Sequence, residues 1–284
     1  MALQPTALTP MEQFILFGDS ITQQCFSPTQ TFSFGAALGD AYIRRLDVVN
    51  RGLSGYNTTQ ALRALPFCIP KPEQAKVRFL ALFWGANDAR IAGSPGGPSQ
   101  TVASEEFRRN LEAMVRHPCV TAHRNIRIIL LTTPPIDERR NSKDDHDHYP
   151  GLGGTLRRTA MNTAAYAAAV RQVGRKLGVA VLDIHSAMLA RAGHSLSDPN
   201  STDDGTPLLG SMNAEANNTL QSYLHDGLHF SGEGYRVLFD EMMAFISQTW
   251  PDQMPTSLPM VFPAWDDETV WKQDEEWKEI KSKS

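Results

Sequence analysis

The chain alternates between short apolar runs and longer segments in which apolar residues recur every three or four positions. Phe14, Ile15, Leu16 and Phe17 form an unbroken run that closes on Gly18, Asp19 and Ser20. An apolar run of that length, bounded by turn residues, predicts a strand covered on both faces. Over residues 31–44, Phe34, Ala37, Leu38 and Ala41 lie at helical spacing, and residues 47–50 predict a second strand. A loop over 51–59, carrying Gly52 and Gly55, runs into a helix expected to stop before Pro66. The third strand, residues 79–84, is the strongest in the sequence and ends in Gly85, Ala86, Asn87 and Asp88. Phe107, Leu111, Met114 and Val115 mark a helix that Thr101 or Ser104 is expected to cap and that ends by His117 and Pro118. A fourth strand is predicted over 126–131. Residues 141–154 read as a polar, glycine-rich loop, followed by an alanine-rich helix over 157–177 and a fifth strand over 179–184.

Strand and helix alternating in this way predict a five-stranded parallel sheet with helices on both faces, a three-layer α/β/α sandwich of the doubly wound, flavodoxin-like kind. Residues 193–218 turn to Ser, Asp, Asn, Gly and Pro, and are expected to form an irregular lid or pocket wall. Tyr235, Leu238, Phe239, Met242, Phe245 and Ile246 then mark a last helix, ending by Trp250 and Pro251. Residues 1–250 form the expected main domain. The tail, 251–284, carries Phe262, Trp265, Trp271 and Trp277 but is too short for a core of its own. It is expected to pack on its own domain or on a second copy, which would make a symmetric homodimer.

Totals narrow the classes. With 41% hydrophobic residues, 284 residues can bury a sizeable core, and a formal charge of -4 offers no basic face for nucleic acid or an anionic membrane. No apolar stretch reaches the ~18 residues of a membrane span, and residues 1–10 show neither a basic n-region nor an apolar h-region. Cys25, Cys68 and Cys119 are odd in number and widely spaced, so free thiols and a cytosolic location are expected. Asn57, Asn200 and Asn217 begin glycosylation-type triplets that have no physical consequence without a secretory route.

In a parallel sheet, turns at the carboxyl ends of strands border the ligand crevice. Ser20, Gly55 and Asn87 fall on such turns, and Asp226 and His229 lie together just before the last helix. These are the parts of an acyl-transfer site. A serine hydroxyl needs a base to take its proton, and the base needs a carboxylate to fix its tautomer. Asp226 and His229 would supply both, while the Ser20 N–H, the Gly55 N–H and the Asn87 amide would form an oxyanion hole. Each residue also has a plainer reading: Asp19 and Ser20 as turn and cap, Gly55 as a turn, Asn87 as a local turn, Asp226 as a cap partner and His229 on the surface. Asp88 is expected to brace its loop and Cys25 to pack in the core. The run from Asp144 to His148 resembles a metal cluster, but in a polar loop it reads as solvated charge. No metal or cofactor is expected, since serine acyl transfer requires none. A second class is a flavin- or phosphate-binding protein holding its ligand at Ser20 to Thr22, and a third is a non-catalytic binding module.

The four blocks, Gly18-Asp19-Ser20-Ile21, the loop at Gly55, the turn at Asn87 and Asp226-Gly227-Leu228-His229, resemble those of the SGNH hydrolases, also called GDSL-like lipases and esterases. Ile21 replaces the leucine of that family's name motif. The resemblance implies the SGNH fold, Ser20 as nucleophile, Gly55 and Asn87 as oxyanion donors, and Asp226 and His229 as the rest of a triad. Asn50 to Thr58, Trp84 to Ala89, Thr133-Pro134-Pro135 and Asp226 to Ser231 are similar to the isoamyl acetate-hydrolysing esterases, which implies short-chain acetate esters. Another acyl preference, lipase- or thioesterase-like, is the alternative. No G-x-S-x-G elbow occurs, which disfavours an α/β-hydrolase.

Overall fold

In the computed structural model, which describes residues 10–152, 154–194, 207–262 and 264–267, alternate residues of the first strand serve two cores. Phe14 and Leu16 of β1 (Glu12–Gly18) join one apolar cluster, and Ile15 and Phe17 join the other. Successive strand side chains point to opposite faces, so an unbroken apolar run marks a strand buried on both. All four of these side chains are buried. The other strands, β2 (Leu46–Gly52), β3 (Val77–Phe83), β4 (Arg127–Leu131) and β5 (Ala180–Leu182), are parallel to it in the order β2-β1-β3-β4-β5. That order is the flavodoxin-like one, with its switch point between β1 and β3, where a ligand crevice forms at the carboxyl ends.

Five short or medium helices precede the fourth strand: α1 (Ser20–Gln23), α2 (Phe34–Ala41), α3 (Thr58–Cys68), α4 (Ser104–Arg116) and α5 (Pro118–Thr121). After it come α6 (Glu138–His148), α7 (Ala160–Leu177), α8 (Ile184–Arg191), α9 (Asn218–Tyr223) and α10 (Gly232–Thr249). Helices α2, α8, α9 and α10 cover the Phe14 face, and α3, α4 and α7 the Ile15 face. Three layers result.

Several local expectations are corrected. Helix α3 does not stop before Pro66 but runs to Cys68, because Ala61 and Leu65 bury its inner face and its last turn closes from Ile69 N–H to the Leu65 carbonyl. It begins on a capping box in which Asn57 accepts from Gln60 N–H and Gln60 accepts from Asn57 N–H. Neither Thr101 nor Ser104 caps α4, whose N-cap is Ala103; Thr101 donates instead to the Arg90 carbonyl at 2.7 Å. The segment read as a loop from 141 contains most of α6, a helix whose buried residues are Glu138, Asn141 and Asp145. With no apolar stripe, its periodicity is silent in a hydrophobicity reading. Asp137 starts it by accepting from Arg140 N–H at 2.8 Å. Helix α7 opens at Ala160, behind the cap Thr159, which leaves Arg157 and Arg158 outside the helix.

Within the expected lid, residues 195–206 lie outside the described residues, and the segment ends in the start of α9, capped by Asn217. The tail touches its own domain. Gln253, Leu258 and Phe262 offer carbonyls to Tyr42, Arg45 and Arg44, and Leu258 is buried. Trp265 is 89% exposed, and Trp271 and Trp277 lie outside the described residues. Among the described residues no helix is long and apolar enough to cross a membrane.

Candidate active site

The strand β1 delivers its last residues into a turn that leaves no room for a side chain at Gly18, where a Cβ would stand 2.5 Å from the Phe83 carbonyl. Asp19 then caps α1, accepting from Ile21 N–H at 3.0 Å, and Ser20 opens the helix with its N–H free of an intrahelical partner. The plain reading of Asp19 as a cap holds, and it is compatible with a chemical role for Ser20. Burial pushes the Asp19 carboxyl up to about 6, against hydrogen bonding from Ile21 and the nearby His229 and Arg158.

Ser20 Oγ lies 2.8 Å from His229 Nε2, and His229 Nδ1 lies 2.5 Å from Asp226 Oδ2. Asp226 Oδ1 accepts from the backbone N–H groups of Leu228 and His229 at 2.8 and 2.7 Å. Burial opposes the charge on Asp226, yet the hydrogen bond and the proximity of His229, with those two amides, hold it well below the usual carboxylate range. The turn closes on itself: Leu224 and Phe230 form an antiparallel bridge, and His225 N–H donates to the His229 carbonyl at 3.0 Å. Gly227 sits at its tip with φ +86°, and its carbonyl accepts from Asp137 N–H at 2.9 Å. Helix α10 is tied to the serine turn by Tyr235, whose hydroxyl donates to the Ile21 carbonyl at 2.6 Å.

Opposite His229 stands Asn87. Its Nδ2 donates to the Tyr56 carbonyl at 2.9 Å, and its Oδ1 accepts from Arg158 Nη2 at 3.2 Å. The guanidinium also donates from Nε to the Ala86 carbonyl at 3.0 Å. With the oxygen engaged by Arg158, the second Nδ2 hydrogen is the amide's remaining donor. Burial pulls Arg158 down to about 10, still charged at neutral pH. Gly55, φ +81°, shares the cavity, and its carbonyl is held by Gln100 Nε2 at 2.8 Å. Asp88 is fully buried and accepts from Thr58 N–H and Oγ1 at 2.9 and 2.5 Å, the bracing expected of it; burial pushes it up to about 7.

Ser20, Gly55, Asn87, Asp226 and His229 line one cavity of about 180 Å³, so every residue singled out for acyl transfer meets there. The same cavity is lined by Gln100, Asn141, Arg157 and Arg158, which sequence reasoning passed over, and by Asp144 and Asp145, which it read as solvated charge. The signals available were that acidic run and the Arg-Arg pair ahead of a capped helix. His148 and Asp144 pair at 3.4 Å, as do Lys143 and Asp147 at 2.6 Å, so these charges of the 144–148 run are engaged along α6 rather than in a loop. Cys25 is buried in the core and its thiol is pushed up to about 12 by burial, which makes it a packing residue. A hydroxyl hydrogen-bonded to an imidazole, an imidazole oriented by a carboxylate and amide donors on the far side make a constellation that can acylate a serine.

The sequence profile of the family described as GDSL-like Lipase/Acylhydrolase matches residues 16–237, and the chain belongs to that family. It is a carboxylic ester hydrolase with a Ser–His–Asp arrangement. Among its relatives, a GDSL esterase/lipase of Arabidopsis thaliana is 32% identical over 250 residues, covering 87% of this chain and 91% of the other. An isoamyl acetate-hydrolyzing esterase 1 homolog of Bos taurus is 34% identical over 256 residues, covering 89% and 86%. The isoamyl acetate-hydrolyzing esterase of Saccharomyces cerevisiae is 28% identical, covering 90% and 94%. A lipase/acylhydrolase from Enterococcus faecalis shares the fold with a TM-score of 0.55 at 22% identity, covering 89% of this chain and 100% of that one.

Proposed function

We propose that Ser20, His229 and Asp226 are the nucleophile, base and orienting acid of an esterase that hydrolyses short-chain acyl esters, acetates above all. The observation that carries this reading is the run of hydrogen bonds from Ser20 through His229 to Asp226, 2.8 and 2.5 Å long, opening on the same cavity as Asn87. Ser20 Oγ attacks the ester carbonyl as His229 Nε2 takes its proton, and the negative charge that develops on the carbonyl oxygen is met by the Ser20 N–H, the Gly55 N–H and Asn87 Nδ2. His229 then gives the proton to the departing alcohol oxygen as the acyl–oxygen bond breaks. Water, deprotonated by the same imidazole, attacks the acyl-serine and releases the acid and free Ser20.

Size supports a short acyl group. About 180 Å³ lies below the ~300–1,000 Å³ of pockets that hold drug-sized ligands. The names of the relatives that act on isoamyl acetate point the same way. Three free thiols support the cytosol as the compartment, and the contacts of residues 253–262 with their own domain favour a tail packed in cis over an arm exchanged in a homodimer.

Rates on p-nitrophenyl esters from acetate to palmitate test the reading. The highest kcat/KM should fall at acetate and decline with chain length, and Ser20→Ala should remove activity throughout the series. A maximum at a long acyl chain would overturn the acyl assignment, and an active Ser20→Ala would overturn the triad.

A further inference from the structure

The wall beside His229 is built by α6 and differs in kind from the rest of the cavity. His229 must hand its proton to the departing alcohol, so the alcohol lies on the His229 side of Ser20. The turn that carries His229 docks on α6: Gly227 accepts from Asp137 N–H, and a Cβ at Gly227 would stand 2.4 Å from Asn141 N. Asn141, Asp144 and Asp145 follow one another at helical spacing along the face of α6 that lines the cavity, and Arg157 joins them through a 2.5 Å ion pair to Asp145. The leaving alcohol therefore departs along a row of hydrogen-bonding side chains, and Leu228 is the one large apolar residue in the lining.

Two features of this row go beyond what folding requires. Asn141 is 5% exposed as a residue and lines the cavity, and its side-chain amide, which makes no hydrogen bond among the described residues, is not among the buried unpaired atoms but stays accessible. An amide that opens on a cavity with both its donor and its acceptor uncommitted can receive a ligand's polar group. In addition, Asp145 Oδ2 and Arg157 Nε are buried without partners although the two side chains are paired through their other atoms. Asp145 is paired with Arg157 and Asp144 with His148. Such a wall offers both donors and acceptors, which does not suit a purely alkyl alcohol.

Resting on the esterase reading above, we propose that the alcohol released by this enzyme is a neutral polyhydroxylated one, a polyol or sugar, whose hydroxyls are received by Asn141 and Asp144. Asn141 can accept through Oδ1 and donate through Nδ2, and half-exposed Asp144 accepts at the mouth. An alkyl chain placed there would leave these groups stripped of water and unpaired, the arrangement by which polar sites reject apolar analogues.

The test compares acetates that share the acyl group and differ in the alcohol, with acetate release measured for glycerol monoacetate, a monoacetylated methyl glycoside, isoamyl acetate and p-nitrophenyl acetate. The polyhydroxylated acetates should exceed isoamyl acetate in kcat/KM by about tenfold, since each hydrogen bond contributes about 2- to 12-fold. Asn141→Leu should shrink that ratio about tenfold, whereas Asp144→Asn, which keeps an acceptor oxygen, should shrink it about threefold or less. If Asn141→Leu does not fold, Asp144→Leu at the half-exposed mouth carries the same test. Isoamyl acetate outrunning the polyhydroxylated esters while p-nitrophenyl acetate is turned over would overturn this inference and leave the esterase standing. Failure of all four esters would overturn the esterase reading itself.

Discussion

Two sets of polar side chains line the cavity at Ser20, yet they use their polar groups in different ways. On the β3 side, Arg158, Asn87 and Gln100 are tied to backbone or to one another: Arg158 to Ala86 and Asn87, Asn87 to Tyr56, Gln100 to Gly55. On the α6 side, the Asn141 side chain makes no hydrogen bond among the described residues and half-exposed Asp144 pairs with His148. A wall whose hydrogen bonds are satisfied within the protein holds its remaining donors fixed, which is what stabilising a transition-state charge demands. A wall with unspent donors and acceptors waits for a ligand. On the functions proposed above, catalysis and selectivity fall to separate elements, and substitutions on the two sides should fail differently.

The largest effect is expected at the residue that orients the base. Asp226→Asn presents an amide where His229 Nδ1 needs an acceptor and should lower kcat by about 10⁴-fold, as in comparable triads. Retention of more than about a tenth of the activity would show that His229 needs no carboxylate. On the fixed wall, Asn87→Ala should reduce kcat by about 10²- to 10³-fold with KM nearly constant, the loss expected for one oxyanion donor. Arg158→Lys cannot bridge Ala86 and Asn87 with a planar fork, and should show a smaller drop of the same kind, about tenfold, again in kcat. A rise in KM at constant kcat for either variant would mean that this wall binds the ground state, and the contrast between the walls would disappear.

The central sheet was legible because its strands are buried on both faces, so that Phe14 to Phe17 and the run over 79–84 stand out as unbroken apolar segments. The residues of the proposed site were legible because Ser20, Gly55, Asn87, Asp226 and His229 all fall at turns that a parallel sheet gathers at one end. Helix α6 was not, because its buried face is Glu138, Asn141 and Asp145 and carries no apolar rhythm. Pro66 misled for a related reason: burial of Ala61 and Leu65 outweighs the hydrogen bond that a proline removes in the last turn. Arg158 was hidden differently. Its role depends on reaching Asn87 from a segment some seventy residues away, and nothing local distinguishes it from the neighbouring Arg157. Sequence thus singled out the groups proposed to react and passed over those proposed to hold or select, since the former need particular residue types and the latter only a position in space.

The claim on which all of this rests is that Ser20 is the residue that becomes acylated, and covalent labelling tests it most directly. An alkyl organophosphonate mimics the tetrahedral intermediate and should react once, at neutral pH, with the hydroxyl that His229 activates. Intact-mass analysis followed by peptide mapping should place a single adduct on Ser20, with activity lost in proportion to labelling and no adduct on Ser20→Ala. A stoichiometric adduct on a different residue, or full labelling of Ser20 with activity retained, would contradict the account.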